Sequence, residues 1–479
     1  MLFNSLEFIV FFSTVYILYL LFPHRLQNRW LLLASYFFYG WWDWRFLFLL
    51  LLSTSVDFFC GLQIHGSDSP RARKRYLFLS IIANLGILGF FKYYGFFIES
   101  FSRLTGLAGL GPASFTLRIV LPVGISFYTF QTMSYTIDIY RRRMQPTKDF
   151  FDFALFVSFF PQLVAGPIER ARRLLPQISA ERVITGRKIK EGLYLVSWGM
   201  FKKVVIADSI AVVVNRVFGQ YSSMSCLDVL IAVMAFNVQL FCDFSGYSDI
   251  ARGLAGMMGF ELMVNFRPHY YSKNPVDVWK RWHISLSSWV RDYIWAPLGA
   301  NRKGSFRTVL NGLLSMALMG LWHGASWHFV LWGVYFGAVQ VGFTFIKPWI
   351  RNSRKPGSKT ISRLQRTAGI LITNMITHIS LLFFRAESLP HVWGLVRTLF
   401  STKAPTSATL GRFCVLLFLG APVFIMQTVE EKHRDPLVIM KKKAWVRFAV
   451  YAGALAMALL VYLFGMEMKI GEAFIYFQF

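Results

Sequence analysis

Long apolar runs, separated by short basic segments, recur from one end of the chain to the other. Residues 6–22, 76–97 and 448–465 are examples, and each run is long enough to cross a bilayer as a helix. The pattern predicts roughly ten to twelve membrane-embedded helices, some of them not full spans. The sequence therefore predicts an all-α polytopic integral membrane protein that forms a single domain over residues 1–479.

Turn and kink signals divide the first third of this pattern. Tryptophans cluster at residues 41–45, where a turn between two helices at a membrane interface is predicted. A longer run covers residues 115–140, and Pro122 and Gly124 predict a kink inside its helix. A loop is predicted at residues 102–114. A second loop, in the last third of the chain, is predicted at residues 347–366.

Two stretches are apolar or aromatic without being plain spans. Pro161 and Gly166 break the run 150–168, which has basic residues on both sides, so a re-entrant or interfacial element is predicted. Irregular backbone at membrane depth must be covered by protein or line a cavity, and residues 161–169 are therefore a candidate cavity wall. Residues 265–301 mix charges with tryptophans, a composition typical of interfacial helices that line a pocket.

The run 316–332 predicts two helices that meet at a short Gly- and Ser-containing break, with His323 at the break. A titratable group in a segment otherwise fit for hydrocarbon is costly to bury, which makes it a functional-site candidate. The alternative is a histidine satisfied by a neighbouring carbonyl or hydroxyl, and the pattern alone is equally compatible with both.

Composition and charge support the membrane interpretation. Of 479 residues, 55% are hydrophobic and only 16% are charged, and 51 Lys and Arg against 24 Asp and Glu give a net charge of +27. The basic clusters fall between apolar runs, as the positive-inside rule expects, so nucleic-acid binding is not indicated. The four cysteines form no Cys-x-x-Cys pair, and neither a disulfide framework nor a cysteine metal site is predicted.

Known catalytic motifs leave few candidates. The sequence contains no Walker loop, no Gly-x-Ser-x-Gly elbow and no His-Glu-x-x-His helix. His323 and His328 are five positions apart, which does not place them on one helical face as metal ligands, so no metal is predicted. His283 and His323 remain, and a neutral histidine can take a proton from a hydroxyl. With no activated Ser or Cys evident, direct transfer from a bound donor is favoured.

Both histidines also have plainer interpretations, as do the nearby carboxylates. His283 lies among tryptophans and suits an interfacial aromatic belt. Asp243, Asp249 and Asp277 can orient a histidine, but such residues more often pair with cations as scaffold.

The segment W-x-x-W-H-I-S-L-S (residues 279–287), followed by G-L-W-H-G-A (residues 320–325), resembles the membrane-bound O-acyltransferase (MBOAT) superfamily. The chain is most similar to its bacterial alginate O-acetyltransferase (AlgI-like) branch, with which it also shares residues 121–128, 165–167, 243–249, 383–387 and 476–479. The resemblance implies a helical bundle around a central funnel, with His323 as the essential catalytic residue and His283 as the second functional histidine.

The resemblance also implies the substrates and partners. Acetyl-CoA would be the cytoplasmic donor, with no permanently bound cofactor, and the acceptor would be an exopolysaccharide or a periplasmic SGNH-type acetyltransferase that modifies it. The location would be the inner membrane of a bacterium, in contact with its lipids. Substrate-binding candidates are Asp243, Asn274, Trp279, Arg281, Trp282, Asp277 and Trp322. Two alternatives stay open: a D-alanyl or other acyl transferase of the same superfamily, and a transporter or flippase.

Overall fold

The structure is a computed structural model that describes residues 1–107, 117, 119–352, 359–463 and 474. Every regular element within these ranges is helical. Most of the predicted loop 102–114, part of the predicted loop 347–366 and the similar segment 476–479 lie outside the described residues. Residues 102–107, 347–352 and 359–366 are helical, so the loop predictions are wrong there. The chain divides into two compact units, Met1–Leu193 with Ile250–Met263, and Tyr194–Asp249 with Val264–Phe479. The single-domain prediction stays a prediction.

The first unit is built from apolar helices in chain order. They are α1 (Leu6–Leu21), α2 (His24–Asp43), α3 (Leu47–Gly66), α4 (Pro70–Leu88), α5 (Tyr94–Leu107), α6 (Ile125–Tyr140), α7 (Phe150–Ser158), α8 (Phe160–Leu163) and α9 (Ala171–Ser179). The predicted turn at residues 41–45 is confirmed as a short 3₁₀ segment, Trp44–Phe46, where the Asp43 side chain accepts from the backbone N–H of Arg45. A π-helical turn, Gly89–Tyr93, joins α4 to α5.

The helix predicted over residues 115–140 is wrong in its first part. The described backbone is irregular before α6 begins at Ile125, and Pro122 and Gly124 precede the helix instead of kinking it. Gly124 adopts φ +77°, and a Cβ there would lie 2.7 Å from the carbonyl oxygen of Leu163. Only glycine combines that left-handed backbone with so close an approach, so this position starts the helix.

The break predicted in residues 150–168 is confirmed. α7 ends at Ser158, and α8 is a single turn that begins at Phe160 with Pro161 in its first turn. Nearly all of this element is buried within the first unit, including Glu169, which is fully buried at its end. Burial raises the pKa of the Glu169 carboxyl to about 7, against the opposing effect of a hydrogen bond from the Met263 N–H.

The second unit holds both candidate histidines. Its helices are α11 (Asp208–Gly219), α13 (Pro275–Val278), α14 (Ile284–Val290), α15 (Gly304–His323), α16 (Trp327–Asn352), α17 (Lys359–Arg385), α18 (Leu389–Leu399), α19 (Ser407–His433) and α20 (Ala444–Leu463). Two more helices pass between the ranges of the units, α10 (Gly186–Met200) and α12 (Cys226–Met257). Shorter segments are π-helical at Phe201–Ala207 and Arg291–Trp295, and 3₁₀-helical at Tyr221–Ser223, His269–Tyr271 and Val438–Lys441.

Seven helical stretches among the described residues are long and apolar enough to cross a membrane. They are His24–Gly66, Pro70–Leu107, Cys226–Met257, Trp327–Ile350, Arg363–Arg385, Ser407–His433 and Ala444–Leu463. The first holds 43 residues, which as one helix would be about 64 Å long, twice the hydrocarbon thickness, so its 3₁₀ turn separates two helices. The exposed residues of α20 are mostly large and apolar, as a lipid-facing surface requires. The chain is therefore a multi-pass membrane protein.

The two helices predicted around residues 316–332 are confirmed as a tight antiparallel hairpin. A Cβ at Gly320 would collide with the carbonyl of Phe329, and a Cβ at Gly333 would collide with the carbonyl of Met316. Backbones this close require glycine on both helices, one on α15 and one on α16. The break between the helices therefore holds His323, the last residue of α15, in a fixed position.

Candidate active site

His323 lies in a cage of aromatic rings. Its side chain is only 4% exposed. The ring centroids of Trp322, Trp332 and Phe384 lie 5.0, 5.0 and 5.2 Å from the imidazole centroid. Gly324 follows His323 with an extended backbone, and a Cβ there would collide with the ring of Phe329. The imidazole is thus enclosed by aromatic side chains on several sides.

His283 is fixed by the backbone around it. It adopts φ +43° and immediately precedes α14. The next two residues are tied to Asn265, whose carbonyl accepts from the Ile284 N–H at 2.9 Å and whose side chain accepts from the Ser285 N–H and hydroxyl at 3.1 and 2.9 Å. The His283 side chain is fully buried, and burial lowers its pKa to about 3. His283 is therefore neutral at any physiological pH.

The two histidines lie side by side. Their ring centroids are 6.5 Å apart, and Trp322 contacts both, at 5.7 Å from His283 and 5.0 Å from His323. Phe244 packs edge-on against the other side of His283 at 4.7 Å. The chain thus brings together the two histidines that the motifs single out.

A narrow cavity of ≈ 40 Å³ opens at His323. Its volume gives room for two or three water molecules. Of the predicted substrate-binding residues, Trp279 and Trp282 line it. The remaining lining residues are Asn237, Leu240, His269, Val278, Trp332, Phe336, Thr377, Ser380, Leu381 and Phe384. A hydroxyl that enters this cavity would meet the His323 imidazole in a mostly aromatic wall.

The other wall carries a hydrogen-bonded chain that the sequence analysis missed. Asn237 joins two histidines: its Oδ1 lies 3.4 Å from Nε2 of His269, and its Nδ2 lies 3.4 Å from Nε2 of His378. Nδ1 of His378 lies 2.6 Å from the Asn374 carbonyl, and Nε2 of Gln427 lies 3.3 Å from Nδ1 of His269. The network assigns one neutral tautomer to each ring: His378 donates from Nδ1, and His269 donates from Nε2.

The hydrogen bonds from Asn237 and Gln427 fix the position of His269 in the cavity wall. Burial, together with smaller effects of the nearby His378 and Arg281, lowers the pKa of His269 to about 3. The sequence held a signal for part of this hydrogen-bonded network, because His378 is the one titratable residue in the run 368–384. Its partner Asn237 is 141 positions away, and only tertiary packing joins them.

Three of the predicted substrate-binding residues are engaged with one another and with α19. The guanidinium of Arg281 lies 3.2 Å from the Asp277 carboxylate and 2.6 Å from that of Glu431, and it also donates to the Pro268 carbonyl at 2.8 Å. Asn274 caps α13, its side-chain oxygen accepting from the Asp277 N–H at 2.9 Å. These contacts support a scaffold role, in which the segment before His283 is anchored.

Asp243 belongs to a buried cluster of charges rather than to a histidine. The Lys203 ammonium lies 2.8 Å from both Asp243 and Asp208, and Lys202 lies 2.7 Å from Asp249. Burial by itself lowers the pKa of Lys203, but the two carboxylates raise it above its ordinary value. The scaffold interpretation of Asp243 and Asp249 is therefore the one that the geometry supports. The sequence 243–249 is a continuous part of α12, and its Asp243, Ser245 and Asp249 side chains contact these lysines.

Comparison with known proteins gives the same pair of histidines a family context. The model of the membrane-bound O-acyltransferase family, MBOAT, matches residues 140–383, a range that contains both. The chain is 37% identical over 448 residues to the "Probable alginate O-acetylase AlgI" of Pseudomonas aeruginosa, which covers 90% of this chain and 84% of that protein. It is 40% identical over 445 residues to the protein of that name in Azotobacter vinelandii (91% and 87%).

A third relative has a different named substrate. The "Peptidoglycan O-acetyltransferase" of Helicobacter pylori is 35% identical over 387 residues, which is 75% of this chain and 71% of that protein. The similarity thus extends over most of the chain and most of each relative. By its fold, its histidine motifs and these matches, the chain belongs to the membrane-bound O-acyltransferase family and is an O-acyltransferase.

Proposed function

We propose that this membrane O-acyltransferase moves an acetyl group from acetyl-CoA, a cytoplasmic thioester donor, toward an extracytoplasmic polysaccharide. Alginate or a related exopolysaccharide is the acceptor that the names of two similar relatives favour. A periplasmic SGNH-type acetyltransferase would carry the acetyl group to the polymer, and the bacterial inner membrane would be the location. The observation that carries the chemistry is the position of His323 in the wall of an aromatic cavity beside His283.

The proposed reaction uses His323 as a general base. Its imidazole accepts the proton of the acceptor hydroxyl while the hydroxyl oxygen attacks the thioester carbonyl. The new C–O bond forms, the C–S bond breaks, and the departing thiolate takes the proton back from the imidazolium. His283 stays neutral throughout, since burial lowers its pKa to about 3, and it orients the substrate or the second ring.

Membership of an acyltransferase family favours this reaction over the transport alternative. The D-alanyl alternative differs in its donor, because the acyl group would come from a carrier protein instead of acetyl-CoA. Purified protein in nanodiscs that consumes acetyl-CoA in the presence of a hydroxyl acceptor supports the acetyl donor. Consumption of a D-alanyl carrier thioester, with acetyl-CoA untouched, would overturn it.

The matched variants for the catalytic role are His323→Gln and His328→Gln. Both residues are buried histidines at the same helix break, but His328 is outside the cavity lining and bonds to the Ser326 hydroxyl at 2.8 Å. We expect His323→Gln to lower the transfer rate by 10²–10⁴-fold, the contribution of general-base catalysis, and His328→Gln to retain most of the rate. Equal rates in a folded, membrane-inserted His323→Gln protein would exclude His323 as the base.

A further inference from the structure

Two indole N–H groups on residues of the cavity wall have no hydrogen-bond acceptor among the described residues. The Nε1 atoms of Trp279 and Trp332 are buried, and no hydrogen-bond acceptor lies in reach of either within the described part of the chain. Both rings line the cavity that holds His323. Trp332 is 4% exposed, and its ring centroid is 5.0 Å from the imidazole centroid. Two indole hydrogen-bond donors without an acceptor in the described residues, on rings that line one cavity, point to a ligand that supplies the acceptor.

Ring packing alone does not account for these two tryptophans. Trp279 and Trp332 are 5.9 Å apart in a T-shaped arrangement, and each packs against Phe336, at 5.1 and 5.3 Å. A phenylalanine fills such contacts without burying an N–H. Tryptophan at both positions therefore adds two neutral donors to the one cavity that contains the candidate base.

Four other polar side chains of the cavity, those of Asn237, His269, Thr377 and Ser380, already have hydrogen-bond partners. Both ring nitrogens of His269 have partners in the Asn237 chain. The hydroxyls of Thr377 and Ser380 donate to the carbonyls of Thr373 and Thr377, at 2.9 and 2.6 Å. The indole N–H groups are thus donors that remain available to a substrate.

We propose that the indole N–H groups of Trp279 and Trp332 bind the oxyanion that forms during acyl transfer. The inference rests on the proposed function. When the acceptor oxygen bonds to the thioester carbonyl carbon, the carbonyl π pair moves to oxygen, and the two N–H groups stabilise that negative charge. Collapse re-forms the C=O bond, expels the thiolate and returns the proton from His323 to sulfur. Neutral donors in a dry aromatic cavity are effective for this, because they are held in place before the charge develops.

The test is kinetic and uses the full-length protein in nanodiscs, with acetyl-CoA as donor. We expect Trp332→Phe and Trp279→Phe each to lower kcat by about 10²-fold, the usual effect of losing one oxyanion donor, with KM for acetyl-CoA within about 3-fold. Trp30→Phe is the control, because the Trp30 N–H donates to the Val15 carbonyl at 3.0 Å, in the first unit. Removing that N–H affects folding and leaves kcat of the folded protein unchanged.

Phenylalanine is smaller than tryptophan, so a second replacement separates the N–H from the ring. β-(3-Benzothienyl)alanine at position 332 has sulfur in place of the indole N–H and keeps the bicyclic shape. A similar loss of kcat with this residue supports the proposal. Full kcat with it, or a loss that appears only in KM or in the yield of folded protein, overturns the proposal. If one of these overturning results is obtained while the unaltered protein consumes acetyl-CoA and His323→Gln does not, the oxyanion role alone is refuted and the proposed function stands.

Discussion

The imidazole rings of His283 and His323 lie 6.5 Å apart, centroid to centroid, with their planes inclined at 66°. Trp322 contacts both rings, and Phe244 and Phe384 enclose the pair. Two polar rings buried among aromatic side chains are costly unless they serve the reaction. The arrangement gives one ring access to the cavity at His323 and keeps the other behind it, which predicts different roles for the two.

Replacing His283 should change the rate without changing its pH dependence. Burial lowers the pKa of His283 to about 3, so this ring does not titrate between pH 5 and pH 9. We expect His283→Gln to lower kcat by roughly 10-fold or more while the pH at which activity falls stays within about 0.3 units of that of the unaltered protein. The measurement is kcat and kcat/KM for acetyl-CoA across this pH range. A displaced pH profile would show that His283 itself gains or loses a proton during the reaction.

The neutral buried histidines should make the protein less stable in acid. His283 and His269 each have a pKa of about 3 in the folded protein and an ordinary value near 6.5 when unfolded. Between these values the unfolded state binds more protons, so stability falls as the pH is lowered from about 6.5 toward 3. Each histidine contributes a slope of up to about 1.4 kcal/mol per pH unit within that window.

The check on acid stability is the thermal midpoint in detergent between pH 7.5 and pH 4.5. In His283→Gln the thermal midpoint should fall less steeply with falling pH, because one proton-binding group of the unfolded state is removed. The variant His65→Gln, at an exposed histidine, should show the same pH dependence as the unaltered protein. The same slope in all three proteins would mean that His283 does not lose its proton on folding.

Breaking the Asn237 chain should destabilise the second unit. Asn237→Leu removes the hydrogen-bond partner of Nε2 in both His269 and His378, and both nitrogens then lose that hydrogen bond. We expect a loss of about 1–3 kcal/mol in the free energy of unfolding for each group left without a partner, visible as a lower thermal midpoint. Asn215→Ala is the control. The Asn215 side chain accepts a solvent-exposed hydrogen bond from Arg385, and loss of this bond should lower the free energy of unfolding by less than about 0.5 kcal/mol.

Arg281 should prove to be an anchor rather than a phosphate-binding residue. Its guanidinium already contacts Asp277 and Glu431. Because the ions are partly exposed, the Arg281–Glu431 coupling should be only roughly 1 kcal/mol. In a double-mutant cycle, Arg281→Ala and Glu431→Ala should lower the thermal midpoint non-additively and leave KM for acetyl-CoA within about 2-fold. A large rise in KM for Arg281→Ala, without one for Glu431→Ala, would restore the prediction that Arg281 binds substrate.

The sequence predicted the site best where the signals were local. Glycines on both sides of residues 324–326 and an apolar run on each side fix a helical hairpin, and this places His323 at its end. The sequence-based prediction failed at Gly124, where it placed a kink inside a helix. Gly124 instead precedes the helix, with φ +77° and a close approach to the Leu163 carbonyl. The residues next to Gly124 in the sequence do not show which distant carbonyl approaches it.

By itself, the sequence determined that this protein is helical and embedded in a membrane, and it singled out His283 and His323. These properties follow from continuous apolar runs and short motifs, which act over a few helical turns. Only the tertiary structure decided which polar groups form hydrogen bonds and ion pairs with one another. Arg281 meets Glu431 across 150 positions and Asn237 meets His378 across 141. Such pairings depend on which helix faces touch, as does the lack of an acceptor for the indole N–H groups of Trp279 and Trp332 within the described residues.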